Sequence, residues 1–379
     1  MAVPNSGLAQ VSNVTLVVAI VAYAVAMLAY ACDFAFGRRA AGSAAGAEAA
    51  ESPAAARVGT AALVGAATAA TGLTGPDLAG HAFPADPADP AELADVREAG
   101  TAGHGNAGTG ARRPGSLPGA SPRWPQSGWV RAGFVLTCAG LAFHLVAIAT
   151  RGLAEHRVPW GNMYEFIGAI TCAAVIVLVL ASVRFRAYFM GLFVLLPVVV
   201  ALAVDVVVIY TPAGALVPAL QSYWIAIHVT AMIIAIGTYI FGAVVTVLYL
   251  LVARHERRVA AGEVSADGGV LAQLPGAALL DRLSYRAILF AFPAWTFAVI
   301  AGAIWADHAW GRYWGWDPKE TWSFITWLVY AAYLHARATA GWRGRRAAFI
   351  QLFGFVCLMF NLIGVNLWIT GLHSYAGLG

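Results

Sequence analysis

Runs of about twenty apolar residues recur along the chain, at about 14–36, 130–149, 163–182, 187–209, 222–252, 285–304, 320–338 and 347–369. Each is close to the ~20 residues that an α-helix needs to cross ~30 Å of hydrocarbon. Inside a bilayer no water satisfies backbone N–H and C=O groups, and runs of this length meet that demand by bonding internally as helices. The expected fold is therefore all-α: a polytopic helical membrane protein with about eight transmembrane helices. Sixty per cent hydrophobic residues, 11% charged residues and a mean hydropathy of +0.72 exclude an ordinary soluble globule. A formal net charge of +4 is too small to point to nucleic acid, and the arginines collect in a few loops.

That clustering gives the expected topology. One set of connections holds Arg38, Arg39, Arg184, Arg186, Arg254, Arg257, Arg258, Arg282, Arg286, Arg337, Arg343, Arg345 and Arg346, whereas the opposite set holds Arg151, Arg157, Arg312 and Lys319. The positive-inside rule then puts both termini outside. Met1 to Gln10 carries no Lys or Arg, and the apolar run after it is too long for a signal-peptide core, so residues 1–37 read as a retained N-terminal membrane helix. Residues 38–128 read as a disordered cytoplasmic linker, too rich in Ala, Gly and Pro to bury an ordered core. Within it, 54–73 is mildly apolar but poor in large aliphatic residues, and is not counted as a span. Residues 129–379 form the expected seven-helix domain, with an outer tryptophan-rich loop at 305–322. Cys32, Cys138, Cys172 and Cys357 lie singly in apolar runs, with no CxxC pair to indicate a zinc site or a disulfide framework.

Five of the thirteen tryptophans fall between Trp305 and Trp322, in WADHAWGRYWGWDPKETW. An interfacial aromatic belt needs one or two aromatics per helix end. Flat rings interleaved with glycines and with Asp307, His308, Arg312, Asp317, Lys319 and Glu320 instead describe a platform for a large planar ligand with polar edges. Two histidines flank it at the same expected depth: His228 near the outer end of its helix, and His373 just beyond the last one. Paired neutral imidazoles are what a six-coordinate heme iron requires, although each could also simply hydrogen-bond a carbonyl in the bundle. His335 falls about fifteen residues into its helix, ~22 Å from the outer surface. There it either ligates a deeper group or reaches to the cytoplasmic interface. His144 reads as a packed core histidine, His156 as solvated, and His308 as a polar rim residue. Glu165, following Asn162 and Tyr164 at a helix start, needs a partner at that depth.

The segment from Trp310 to Glu320 resembles the tryptophan-rich "WWD" signature of heme-handling cytochrome c assembly proteins. Asn162-Met-Tyr-Glu165, Tyr333-Leu-His335-Ala-Arg337 and Gly371-Leu-His373-Ser-Tyr-Ala make the chain similar to the CcsA-type subunit of the system II cytochrome c synthase, called CcsB or ResC in actinobacteria. The resemblance covers about residue 130 to the C-terminus, but not the first helix or the linker. It implies a bacterial plasma-membrane protein that binds heme b and presents it on the extracytoplasmic face for attachment to a CxxCH apocytochrome c. His228 and His373 stand where the family has axial ligands, and His335 where it has a histidine implicated in a heme site within the membrane. The partners implied are apocytochrome c and a second system II membrane subunit with a large outer domain. Together they would form a heme lyase complex. On this reading Trp305, Trp310, Trp314 and Trp316 stack on the macrocycle, Arg312 or Lys319 lies near its propionates, and Asp317 fixes the loop. Three other readings stay open: an electron-transferring membrane cytochrome b, a transporter of another amphipathic anion, and a structural scaffold for a partner.

Overall fold

The computed structural model describes residues 5–37, 127–214, 220–265 and 269–373. The expected linker lies outside the described residues except for its last two positions, as do residues 374–379. The helices are α1 (Ser6–Cys32), α2 (Gly128–Glu155), α3 (Met163–Phe185), α4 (Gly191–Val208), α5 (Tyr223–Ala260), α6 (Ala277–Trp310), α7 (Pro318–Ala338) and α8 (Arg345–Met359). A π-helical turn, Phe360–Gly364, carries α8 into a last short helix, Val365–Trp368. Among the described residues there is no strand.

Seven of the helical segments are long and apolar enough to cross a membrane, so the protein is a multi-pass helical membrane protein. The eighth, α7, is not among the seven. It has 21 residues, about 31 Å at 1.5 Å per residue, but gives positions to Lys319, Glu320, His335 and Arg337. Its two ends nevertheless meet the two ends of α6: Arg337 bonds Asp281 at 2.8 and 2.9 Å, and His373, which packs 5.6 Å from Trp305, is held by Asp317. It therefore runs antiparallel to α6 over that helix's length. Valines and a leucine at 14, 17, 21, 25 and 28 form an exposed apolar stripe on α1, the face expected toward lipid.

Several helices outrun the apolar runs that announce them. α5 extends to Ala260, on a basic last turn holding Arg257 and Arg258. α6 spans 277–310 rather than 285–304, which corrects the expected loop at 305–322. Its first six residues close the helix, the last five begin α7, and the connection itself is only residues 311–317. Asp307 and His308 are tolerated because a helix end can turn polar side chains to its rim. Gly311, in the left-handed region at φ 70°, is where α6 stops.

Packing divides at α5. On one side α1–α5, joined by the first turns of α6 and the start of α8, share a core around Tyr23, Tyr30, Leu178, Met190 and Leu195. The ring of Tyr30 lies against Gly133 and Gly191, and that of Tyr23 against Gly140, so tyrosines fit where no Cβ stands. On the other side α3, α5, α6, α7 and α8 close around Tyr239, Trp295, Tyr330 and Leu358. Tyr239 and Tyr330 stack at 4.0 Å, with Trp295 edge-on to Tyr239 at 6.1 Å. The second group holds the cavity.

Candidate functional site

The cavity opens to solvent, and its empty space, the open mouth included, comes to about 1140 Å³. Helical spacing builds its walls. α5 turns Ile225, His228, Val229 and Met232 inward, and α6 turns Trp295, Val299, Gly302, Ala306 and Trp310 toward them. Tyr313 and Trp314 come from the short connection, Lys319 and Ser323 from α7, and Asn361 from the π-helical turn.

His228 and His373 both line this space. His228 Nδ1 lies 2.7 Å from the carbonyl of Ala298. A carbonyl only accepts, so Nδ1 carries the proton and the Nε2 lone pair is the one available to a metal. The ring packs so closely on α6 that a Cβ at Gly302 would fall 2.6 Å from its Cε1, which is why glycine stands there. His373 Nδ1 lies 2.9 Å from Asp317 Oδ2, an acceptor again, and this bond sets the same tautomer in a neutral ring. Trp305 is the ring both imidazoles meet. His228 lies parallel to it at 6.0 Å (6° between planes) and His373 is tilted against it at 5.6 Å. Trp310 adds an edge to each of Trp305 and His373, at 4.7 and 5.0 Å.

Asp317 explains how the segment after the last helix is held. It is the N-cap of α7, with Pro318 next and Glu320 completing a capping box. Glu320 Oε2 accepts from the N–H groups of Gly315 and Asp317 at 2.8 and 3.0 Å, which fixes the connection. Asp317 accepts from Leu372 N–H at 2.7 Å as well as from His373. Burial pushes its carboxyl up, but these bonds outweigh that and hold it below its usual range.

The other expected site residues divide. Trp305, Trp310 and Trp314 line the cavity. Trp316 does not: it is 65% exposed, sits at a positive φ of 57°, and packs edge-on against Trp314 and Phe324. Arg312 also lies off the lining, 3.7 Å from Glu320. His335 is exposed in the last turn of α7, about 27 Å along the helix from Asp317, and is not brought to the pair. His144 is buried between α1 and α2, its Nδ1 3.4 Å from the Tyr23 hydroxyl. His308 is exposed at the rim, 6.4 Å from Trp224.

One wall went unread in the sequence. Trp160, Asn162, Met163 and Phe166 close the cavity from the start of α3. Glu165 holds them there, accepting from Gly161 N–H at 2.8 Å and pairing with Arg151 and Arg157 at 3.2 and 2.8 Å. Glu155 completes a balanced cluster of two arginines and two glutamates. The isolated Glu165 at a helix start was the signal, but its partners could be placed only in three dimensions.

The cytochrome c assembly protein family model matches residues 160–373, from the first cavity-lining residue to the last. The cytochrome c biogenesis protein CcsA of Guillardia theta is 35% identical over 260 residues, covering 64% of this chain and 84% of the relative. That of Gloeobacter violaceus is 35% identical over 278 residues, covering 61% and 82%. In Chlamydomonas reinhardtii CcsA the identity rises to 46% over 163 residues, 43% of each chain. With the family model spanning more than half of the chain and every wall of its cavity, the chain belongs to the cytochrome c assembly protein family, as a CcsA-type protein of cytochrome c biogenesis.

Proposed function

We propose that the chain binds heme b in this cavity, between His228 and His373, and presents it on the extracytoplasmic face of a bacterial plasma membrane for attachment to apocytochrome c. The observation that carries this reading is the pair of imidazoles on one aromatic wall, each with Nδ1 committed to an acceptor. Among the described residues no three His, Cys, Asp or Glu side chains converge as a metal site. Two imidazoles alone suit a metal that brings its own equatorial ligands, as a porphyrin does. The tryptophans offer flat apolar surface to such a macrocycle. Because Trp305 packs against both imidazoles, ligation from both sides requires that indole to shift.

In this account His228 and His373 hold the iron, exclude other ligands and disfavour oxidation. The two cysteines of a CxxCH segment add their S–H bonds across the porphyrin vinyl groups, with no net change of redox state, and the segment's own histidine then replaces one imidazole. A second system II subunit with a large outer domain is the expected partner, and His335, exposed at the opposite end of α7, would face it or the lipid. The membrane cytochrome b reading fits less well, because the histidines sit at a helix end and beside a short connection instead of deep between facing helices.

The test is a pyridine-hemochrome and absorption spectrum of the purified chain, alone and co-expressed with its partner. A b-type spectrum is the expected result. Protein without heme in both preparations would overturn the proposal.

A further inference from the structure

The cavity is aromatic and aliphatic over most of its wall, but one corner is polar, where the first turns of α7 meet the π-helical turn of α8. Lys319 stands there. Its Nζ donates to the backbone carbonyl of Asn361 at 2.7 Å, and among the described residues no carboxylate lies within 4.0 Å of it. The neighbouring charges are otherwise occupied: Glu320 faces Arg312 and two backbone N–H groups, and Asp317 faces His373 and Leu372. The ammonium thus rests on a neutral carbonyl, and the counter-charge that acts on it, Asp317, is not in contact with it.

Asn361 is 6% exposed and donates to Ser323 Oγ at 2.9 Å, while its Oδ1 has no hydrogen-bond partner. Amide nitrogen and oxygen are interchangeable in such an assignment. Rotated by half a turn, Asn361 would accept from the Ser323 hydroxyl and leave a buried N–H₂ free to donate, at a residue that lines the cavity. The corner would then offer an ammonium and an amide donor, the set that binds a carboxylate. The carbonyl that Lys319 takes belongs to the π-helical turn, a kind of turn frequent at functional sites.

We infer that Lys319 and Asn361 form a carboxylate clamp that receives the propionate edge of the porphyrin and so sets its orientation. This rests on the heme reading above. Arg312, the other cation of the tryptophan segment, lies off the lining, 3.7 Å from the lining residue Glu320, and has no part in the clamp. With the propionates held in this corner, the vinyl-bearing half of the macrocycle points away from it, open to incoming thiols.

The test compares heme with its dimethyl ester, in which both propionates are masked, by Soret titration of the apo full-length chain. Wild type should bind heme at least ~10-fold more tightly than the ester, the worth of one charge-assisted hydrogen bond. Lys319→Met should lose that preference, and Lys319→Arg should keep most of it. Equal binding of heme and ester by wild type would overturn the clamp while leaving heme binding intact. Retention of the full preference in Lys319→Met would overturn it too. Binding of neither compound would instead refute the heme reading, and the clamp with it.

Discussion

Replacing Asp317 with asparagine tests how the site is held, because one carboxylate ties together the start of α7 and the segment holding Leu372 and His373. Its Oδ1 takes the Leu372 N–H at 2.7 Å and its Oδ2 takes His373 Nδ1 at 2.9 Å, with the Lys319 N–H more distant at 3.4 Å. A hydrogen bond to a charged group contributes about 1.5–3 kcal/mol. The substituted amide would keep one acceptor oxygen and turn an N–H₂ toward a donor, so at least one of the two short bonds is lost. The loss converts to about 10- to 100-fold weaker holding of His373 as an iron ligand, at 1.4 kcal/mol per factor of ten. The assay is the spectrum of the heme-loaded protein with increasing imidazole. Asp317→Asn should show a mixture of five- and six-coordinate heme, driven back to the six-coordinate form by millimolar imidazole. An Asp317→Asn spectrum identical to wild type, at equal heme occupancy, would refute the claim that Asp317 positions His373.

The pH dependence follows from the same carboxylate. Since its pKa is depressed in the folded protein, the tether is fully present above the usual carboxylate pKa and is lost only as pH falls through the lowered value. The six-coordinate spectrum should therefore persist at about pH 5, above the usual aspartate range, and fail only in stronger acid. Gly302→Ala would place a Cβ 2.6 Å from the His228 ring, and overpacking of this kind costs about 1–3 kcal/mol; heme content by pyridine hemochrome should fall, with helix content by circular dichroism unchanged. Trp310→Ala, which removes a ring in contact with His373, should lower heme affinity, whereas Trp316→Ala should leave the Soret position unchanged. Glu165→Gln leaves Arg151 and Arg157 with less than their balancing charge, and breaking a buried pair costs about 3–5 kcal/mol; the thermal midpoint in detergent should drop clearly, more than for Trp316→Ala.

The helices were legible because apolar runs near the membrane's thickness leave the backbone few alternatives, and the histidine pair because both residues fall at one end of neighbouring spans. Less legible was whatever depended on distant partners. Asp317 was readable as a helix cap from Asp-Pro-Lys-Glu alone, but not as the anchor of His373, which lies 56 residues further on. Lys319 and Arg312 look equivalent in sequence. Only folding shows that Glu320 occupies Arg312, and that Lys319 reaches Asn361 across 42 residues. Trp316 illustrates a different limit: neighbours two apart in a short, tightly turned connection point to different sides, so Trp314 enters the cavity and Trp316 does not. Helix ends were misplaced at α6 because hydropathy fades before the helix does, and the stop lies at Gly311.

The measurement closest to the central claim is the reduced absorption spectrum of His228→Gly and His373→Gly beside wild type, each purified with and without added imidazole. If the two histidines hold the iron, each variant loses the six-coordinate b-type spectrum and regains it when imidazole fills the vacated position. Variants that keep the wild-type spectrum without imidazole would show that the iron is held elsewhere, and would contradict the account.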